Sequence, residues 1–363
     1  MQVNNLAKSN NMAGLEMFKN MFDNDSITFS PLSCNMALMG VMFGTDGGSR
    51  DQMMKAFAME AVDERLLEDM KRMCGMANYE DKKTKVKMVN CLYAQAGMTF
   101  GAEFLSMISQ LYEMKSANFM EAEKETSNIN NYVSENTCGK IKKILNAGDI
   151  NQDTKAVLVN ALYFKSKWQS TFEKYNTKQR KFTTLSGTEK DADMMYQEER
   201  FPYYENDNVQ VIKLAYSGKK YSMLVVLPKE GGQFLLPTAE QYEEYCRDCN
   251  PESVKLYFPK FKHETSVSLV PVIQSLGVTE IFNEGGLNKM HPNIKVDNVL
   301  QSVVVEVDEN GTEAAAATAV ICMNECCSMP PPNPKIFNAN KPFSYFIRNT
   351  ETNSIMFAGV HNG

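Results

Sequence analysis

The histidines and cysteines are the residues of this 363-residue chain that could carry catalysis or bind a metal. The three histidines are His263, His291 and His361, and none stands in a motif that places a nucleophile or metal ligand beside it. We interpret each as an ordinary surface or loop residue. Cys246 and Cys249 have redox-motif spacing, but their acidic helical segment lacks a βαβ setting. No nucleophile elbow, phosphate-binding loop or paired zinc-ligand spacing occurs, so enzyme catalysis has little support.

The segment from Glu309 to Pro334 carries conflicting local signals. Ala314 to Ala317 favour a helix, whereas Val303 to Val307, just before the segment, predict a strand. Such a conflict is expected where a segment must occupy two states. If the segment forms a strand, one face carries small side chains, as a strand needs if it slips between neighbours without repacking them. These residues are Thr312, Ala314, Ala316, Thr318, Val320 and Cys322. The opposite face carries Glu313 and Glu325 at its ends, and the alternative is an alanine-rich surface helix or disordered loop.

Composition and charge exclude several classes of function. A net charge of −6, from 38 basic and 44 acidic residues, disfavours a protein that coats nucleic acid or an anionic membrane. No apolar stretch approaches the roughly 20 residues that a membrane-spanning helix needs. The polar N-terminus lacks a secretory signal pattern, and nine thinly spread cysteines favour free thiols. We therefore expect a cytoplasmic protein, and the sequence is also compatible with export by a non-classical route.

The elements that would position these residues are helical in the first half and mostly extended in the second. Predicted helices cover 15–22, 49–77, 104–114, 129–145, 240–247 and 266–276, and a further helix begins at Ser30-Pro31. Predicted strands cover 27–29, 86–94, 155–164, 209–214, 221–227, 254–258 and 303–307. The strand at 155–164 has no clean alternation and should be covered on both faces. The fold class is therefore α+β, with large mixed or antiparallel sheets and no linker between the halves.

Several longer motifs carry a resemblance to a known family. They are Phe29-Ser30-Pro31-Leu32-Ser33, Gly139-Lys140-Ile141, the run from Leu158 to Lys165 with Trp168, the run from Leu256 to Phe261, the run from Gly311 to Thr318, and Lys341-Pro342-Phe343 with Phe346-Ile347. With these motifs the chain resembles the serpins, and within them the intracellular, ovalbumin-like branch. The resemblance implies a single domain over 1–363, three β-sheets, eight or nine helices and an exposed reactive-centre loop at about 309–334. It implies no metal and no organic cofactor.

The resemblance also implies inhibition of a serine protease by a suicide-substrate mechanism. The protease would cut the loop and form an acyl-enzyme, and the cut loop would insert into the main sheet before hydrolysis. Rapid insertion requires a hinge of small residues, which the chain supplies. The implied hinge residues are Glu309, Gly311, Thr312, Glu313, Ala314, Ala315, Ala316, Ala317 and Thr318. The alternatives are a non-inhibitory serpin with a binding, storage or chaperone-like role, and a cross-class inhibitor of a cysteine protease.

The bait residue is implied by counting from the hinge. In the family the scissile residue lies fourteen positions after the hinge glycine, which places the reactive bond between Glu325 and Cys326. Asn324 and Met323 are the next candidates. No Lys or Arg lies between Gly311 and Pro334, so trypsin-like targets are disfavoured. A Glu bait suits a protease with a basic pocket, whereas a Met bait would suit a chymotrypsin-like or elastase-like protease.

The implied sheet-opening region departs from the family at one position. Where relatives commonly carry a histidine ten residues before the hinge glycine, this chain has Gln301. An amide both donates and accepts, so we expect this region to work without a titrating group. The other implied members are Ser30, Ser33, Asn160 and Trp168. The expected partner is a target serine protease in a covalent complex, or a cysteine protease; we expect a monomer, no nucleic acid and no membrane span.

Overall fold

The structure is a computed structural model that describes residues 3–111, 113–312 and 333–363. The helices of these residues are α1 (Val3–Met21), α2 (Pro31–Met42), α3 (Gly47–Ala56), α4 (Glu64–Met76), α5 (Ala102–Ile108), α6 (Ala122–Asn136), α7 (Ala239–Asp248) and α8 (Val270–Ser275). The strands are β1 (Ile27–Phe29), β2 (Asn78–Glu80), β3 (Thr84–Gln95), β4 (Glu113–Ala117), β5 (Ala156–Lys167), β6 (Lys178–Thr183), β7 (Glu189–Glu205), β8 (Val209–Ala215), β9 (Tyr221–Pro228), β10 (Asn250–Pro259), β11 (Phe261–Ser268), β12 (Asn298–Val307), β13 (Gly311–Thr312), β14 (Lys335–Asn338), β15 (Phe343–Asn349) and β16 (Ile355–His361).

The main sheet has seven strands, in the order β11-β12-β13-β5-β3-β2, with β4 beside β3. Its strand β5 is buried on both faces, as the sequence predicts. Leu158 and Leu162 face the core that contains α2, whereas Val159 and Ala161 face a smaller core beneath α6. Because side chains alternate along a strand, even-numbered residues of β5 point to α2 and odd-numbered residues to α6.

The other strands form a nine-stranded hydrogen-bonded network that contains the remaining two sheets. The long strand β7 joins them. Over most of its length β7 pairs with β6 and β10, and its last three residues pair with β8. One sheet is therefore β6-β7-β10-β14, and the other runs from β7 through β8, β9, β15 and β16 to β1. The predicted three-sheet α+β fold is confirmed.

Three predicted helices are too long. The helix predicted at 104–114 ends at Ile108, because the chain there turns into β4, which pairs with β3. The helix predicted at 129–145 ends at Asn136, shortly before Cys138 and Gly139 adopt positive φ angles of 56° and 72°. The helix predicted at 266–276 is wrong over Ser266–Ser268, which continue β11 and pair with β12. Helical periodicity was overridden in each case by a strand partner or a left-handed turn.

The expectation for two of the histidines is also wrong. His263 lies in β11 and His361 in β16, and both side chains are buried. His291 lies in a connecting segment and is partly exposed, as expected. Among the described helices, none combines the length and apolar character that crossing a membrane requires.

Candidate functional site: the seam between β5 and β12

The seam between β5 and β12 is closed along one stretch and wedged open at one end. Residues 157–162 of β5 pair directly with residues 298–303 of β12 in parallel register, so no strand lies between them there. Beyond this stretch, β13 occupies the gap. Gly311 pairs with Lys167 and Thr312 with Ser166 on β5, while Thr312 also pairs with Val307 on β12. Both β13 pairings are antiparallel, the geometry that a longer inserted strand would continue.

A buried amide network bridges the closed part of the seam. Gln301 on β12 donates through Nε2 to Asn160 Oδ1 on β5 at 2.6 Å. Gln301 also accepts from the backbone N–H of Ser30 at 2.8 Å and donates to its carbonyl oxygen at 3.0 Å. The two strands are thus tied to each other and to the start of α2 by a side chain that is 2% exposed. Separating the strands must break the Gln301–Asn160 hydrogen bond.

The same network continues beneath the sheet to β3. Asn160 donates through Nδ2 to Ser33 Oγ at 2.6 Å and to the side-chain oxygen of Asn90. Ser33 in turn donates to Asn90 Oδ1 at 3.2 Å, and Ser30 Oγ caps α2 by accepting from the backbone N–H of Ser33 at 3.3 Å. Ser30, Ser33, Asn160 and Gln301 therefore come together as expected, and every side chain of the network is a non-titrating amide or hydroxyl. Asn90 was missed; its signal was the direct pairing with Asn160 across β3 and β5.

Gly311 is required by the close approach of β13 to β5. A Cβ atom at Gly311 would lie 2.1 Å from the carbonyl oxygen of Ser166, well inside contact distance. The next residue, Thr312, is fully buried, and its hydroxyl hydrogen bonds to that of Tyr216. Tyr216 stacks on Trp168, with ring centroids 4.5 Å apart and planes at 12°. Sequence reasoning found Trp168 and missed Tyr216, which lies far along the chain.

Trp168 also fixes the turn that leads into β13. Its indole N–H donates to the carbonyl oxygen of Asp308 at 2.9 Å. Its backbone N–H donates to the carbonyl oxygen of Asn310 at 2.8 Å. The Asp308 carboxylate accepts from the backbone N–H groups of Asn310 and Gly311 at 2.7 Å and 3.1 Å. The turn at the start of the segment singled out in the sequence is therefore held by Trp168 as well as by its own Asp308 carboxylate.

Glu309 anchors this turn through an ion pair between its buried carboxylate and a partly exposed lysine. Its carboxylate is 3.2 Å from Lys260 Nζ and accepts from Thr177 Oγ1 at 2.9 Å. Burial raises the pKa of Glu309, but its backbone hydrogen bond, Thr177 and Lys260 together lower that pKa below its usual value. Glu309 is therefore ionised at neutral pH and ties the turn to Lys260, which lies between β10 and β11.

Comparison with known proteins identifies the family. The family model described as "Serpin (serine protease inhibitor)" matches residues 8–362. The chain belongs to the serpin family. It is 33% identical to a leukocyte elastase inhibitor of Xenopus laevis over 96% of each chain, and 32% identical to a serpin B8 of Bos taurus over 98% of each chain. Its structure resembles that of tengpin, a thermophilic serpin in the native state, with a TM-score of 0.89 and 27% identity, covering 99% of this chain and 94% of tengpin.

Two further solved structures, both under 25% identical, support the fold alone. Uncleaved ovalbumin matches with a TM-score of 0.86 at 21% identity, over 99% of each chain. Thyroxine-binding globulin, solved with thyroxine, also matches with a TM-score of 0.87 at 23% identity, over 98% of each chain. These two matches confirm the serpin fold of this chain.

Part of the expected serpin site lies outside the described residues. Glu309, Gly311 and Thr312 lie at the seam, and the next described residue is Asn333, just before β14. The remaining hinge residues Glu313, Ala314, Ala315, Ala316, Ala317 and Thr318, and the bait candidates Met323, Asn324, Glu325 and Cys326, lie outside the described residues. The described residues therefore include the seam between β5 and β12, together with Gly311 and Thr312 of β13.

Proposed function

We propose that this serpin inhibits a serine protease as a suicide substrate, by inserting its cut loop between β5 and β12. The observation that carries this proposal is the seam itself: direct parallel pairing over six residue pairs, with Gly311 and Thr312 already at its mouth in antiparallel register. Because β5 and β12 are parallel to each other, a strand that enters between them can be antiparallel to both, as β13 already is. The chain supplies the strand directly after Thr312.

The register of β13 predicts where each inserted residue would lie. Continuing the pairing of Thr312 with Ser166 and Val307 brings Glu313 opposite Lys165 on β5 and Glu306 on β12. Five residues later, Thr318 falls opposite both Asn160 and Gln301. Both ladders give the same position, since Asn160 and Gln301 are themselves paired in the closed seam. The Thr318 hydroxyl would then supply hydrogen bonds for the two amides that strand separation uncouples.

The same register explains why small residues are needed on both faces of the inserted strand. Ala314 and Ala316 would face the core beside Phe164 and Leu162, both almost fully buried. Ala315 and Ala317 would face the other side, where α6 covers the sheet. A larger side chain on either face would have to displace packed neighbours and slow insertion. Four consecutive alanines therefore favour inhibition over a non-inhibitory role.

We propose Glu325-Cys326 as the reactive bond, within the 309–334 loop of a single domain. About 14 residues at roughly 3.3 Å each span about 46 Å, enough to cross a domain of this size. The lack of Lys and Arg between Gly311 and Pro334 argues against a trypsin-like target. The name of the Xenopus relative, leukocyte elastase inhibitor, favours the neighbouring Met323 as the bait for an elastase-like target. Cleavage after Glu325 would suit a Glu-preferring protease, whereas cleavage after Met323 would suit an elastase-like protease.

The remaining features of the proposal follow from this mechanism. The chain acts as a monomer in the cytoplasm. If it is exported, it leaves the cell by a non-classical route. It turns over no substrate of its own and uses no cofactor, because the chemistry is that of the attacking protease. A cysteine protease that forms a thioester with the loop is the second candidate target.

A protease panel tests the proposal. The serpin is incubated with Glu-preferring, chymotrypsin-like, elastase-like and cysteine proteases, and the products are analysed by denaturing gel and intact mass. We expect an SDS-resistant complex with a serine protease, and a released peptide that starts at Cys326 or, for a Met bait, at Asn324. If every protease of the panel that cuts the loop does so without forming a complex, the non-inhibitory alternative is favoured. A complex with the cysteine protease alone would identify a cross-class inhibitor.

A further inference from the structure

His263 and His361 form a buried hydrogen-bonded pair that protease inhibition does not use. Nε2 of His263 lies 3.1 Å from Nδ1 of His361, and the two residues are 8% and 6% exposed. Nδ1 of His263 lies 3.0 Å from the hydroxyl of Tyr345. His263 belongs to β11 of the main sheet, whereas His361 and Tyr345 belong to β16 and β15. The pair thus joins the main sheet to the sheet behind it.

The surroundings of the pair are aromatic, and no Asp or Glu side chain of the described residues contacts either imidazole. Phe261 stacks on both imidazoles, with centroid distances of 4.7 Å and 4.9 Å, and Phe182 of β6 meets His361 edge-on at 4.9 Å. None of the ion pairs among the described residues involves either imidazole. The charged group that acts on His361 is Lys190 of β7, whose Nζ donates to the Gly363 carbonyl oxygen at 2.9 Å.

The other elements packed against the pair add no compensating charge. β12 presents Val305 opposite His263, and β1 contributes Thr28, an uncharged residue. The neighbours of His263 along β11, Lys262 and Glu264, point to the opposite face of the strand and are exposed. A proton added to the pair is therefore a cation without a counter-ion.

Neutral imidazoles suit this site and protonated imidazoles do not. One of the two facing nitrogens must carry a hydrogen and the other must be bare, so the bond exists only while at least one ring is neutral. Two protonated rings would present N–H to N–H. Burial lowers the pKa of His263 to about 4, and burial together with His263 and Lys190 lowers the pKa of His361 well below its usual value.

We propose that His263 and His361 form an acid-sensitive lock that holds β11 against β15 and β16. The lock is closed while at least one ring is neutral, and protonation of both rings opens it. Opening reaches the hinge, because β11 pairs with β12 along all eight of its residues and directly follows Lys260, the partner of Glu309. The native state of the uncleaved serpin should therefore become steadily less stable as the pH falls below about 6.5.

The direction follows from linkage. Both folded-state pKa values lie below the unfolded value of about 6.5, so the stabilisation is complete above pH 6.5 and is lost as pH falls toward the folded values. With a folded pKa of about 4, His263 alone raises the unfolding equilibrium constant about 30-fold at pH 5 relative to pH 7.5. His361 should act in the same direction, because burial, His263 and Lys190 also lower its pKa.

The test compares urea unfolding of the uncleaved chain at pH 7.5 and pH 5.0, with no protease present. The double variant His263→Leu with His361→Phe removes both titrating groups and keeps an apolar fill, and His291→Gln is the matched control on the third histidine. We expect the wild type and His291→Gln to weaken at pH 5.0 by about 30-fold or more relative to the double variant. Equal pH dependence in all three proteins would overturn the lock.

A measurement on the wild type covers the case in which the double variant does not fold. The imidazole C–H signals of the native protein are followed by NMR from pH 7.5 to 5.5. We expect the signals of His263 and His361 to stay at their neutral-ring positions throughout this range. Titration of either ring in this range would contradict the proposal. Neither experiment involves inhibition, so failure of the proposed function would leave this result unchanged.

Discussion

Gln301 sits at the centre of the seam and bonds to both sides of it. Its amide satisfies three groups at once: the backbone N–H and C=O of Ser30 and the side-chain oxygen of Asn160. A residue that only accepts or only donates would leave buried groups without partners. The closed seam therefore depends on a side chain that both donates and accepts at this position, and with an amide these hydrogen bonds do not change with pH.

Gln301→Leu should destabilise the closed seam. The variant leaves the partners of Gln301 buried and unsatisfied, which costs about 1–3 kcal/mol for each such group. We expect the unfolding midpoint of the uncleaved chain to fall and the protein to convert more readily to a loop-inserted, inactive form. Thermal melting and residual inhibitory activity after mild heating measure the two effects. Gln301→His keeps a donor and an acceptor and is the matched control; equal losses in both variants would refute the role of the amide.

Thr312→Arg should convert the inhibitor into a substrate. Thr312 is fully buried at the mouth of the seam and bonds to Tyr216, so an arginine there places a charge on the inward face of the entering strand. Insertion should then lose its race with hydrolysis of the acyl-enzyme. The measurement is the yield of SDS-resistant complex against cleaved serpin, with Thr312→Ser as the control. Wild-type yield from the arginine variant would show that the face assignment is wrong.

The residues that sequence reasoning missed are those that depend on register or on burial. Ser30, Ser33, Asn160 and Gln301 were predicted from the family resemblance, and the structure brings them together. Asn90 and Tyr216 join the site only through pairing and stacking with distant residues. The buried histidines were misjudged for a related reason. His263 follows Phe261 by two residues on a half-buried strand, and its inward direction is set by tertiary pairing rather than by residue type.

At the scale of elements, β13 is the feature on which the mechanism depends most. It consists of two residues, yet it separates β5 from β12 at one end and sets the register of everything that follows. Neither its length nor its position could be predicted from local pattern, because both are fixed by Trp168, Tyr216 and the Asp308 turn. The overlong helix predictions have the same origin, since strand pairing and left-handed turns overrode helical periodicity.

Gly311→Ala should expel β13 from the main sheet. The new Cβ would lie 2.1 Å from the Ser166 carbonyl oxygen and 2.7 Å from the Cα atom of Lys167, both backbone atoms of β5 that cannot move aside as a flexible side chain would. We expect faster amide exchange at Trp168, whose backbone N–H donates to the Asn310 carbonyl oxygen, and a destabilisation of about 1–3 kcal/mol. Hydrogen exchange with mass spectrometry and thermal melting measure these changes. Gly75→Ala is the control: it lies in α4 with open space around its Cβ position, so it should be neutral or stabilising. Similar exchange in both variants would contradict the close approach.

In the whole molecule, the main sheet pairs β5 directly with β12 over most of the seam. These two strands are already separated by β13 at one end, where a further strand could continue. The direct pairing of β5 and β12 is parallel, and an entering strand would replace it with two antiparallel ladders. The buried core on both sides of β5 remains in place, so the gain comes from the added strand rather than from new contacts elsewhere. Stability should therefore rise when the loop is cut, the reverse of what cleavage does to most proteins.

Thermal melting of the uncleaved and loop-cleaved chains measures whether the cut loop inserts into the main sheet. A protease that cuts between Thr318 and Pro334 without being trapped supplies the cleaved form, and mass spectrometry confirms a single cut. We expect the cleaved protein to unfold at a markedly higher temperature, with slowed amide exchange along β5 and β12 where the inserted strand adds its ladders. An unchanged or lower unfolding temperature, with exchange along the seam as in the uncleaved chain, would contradict insertion of the loop.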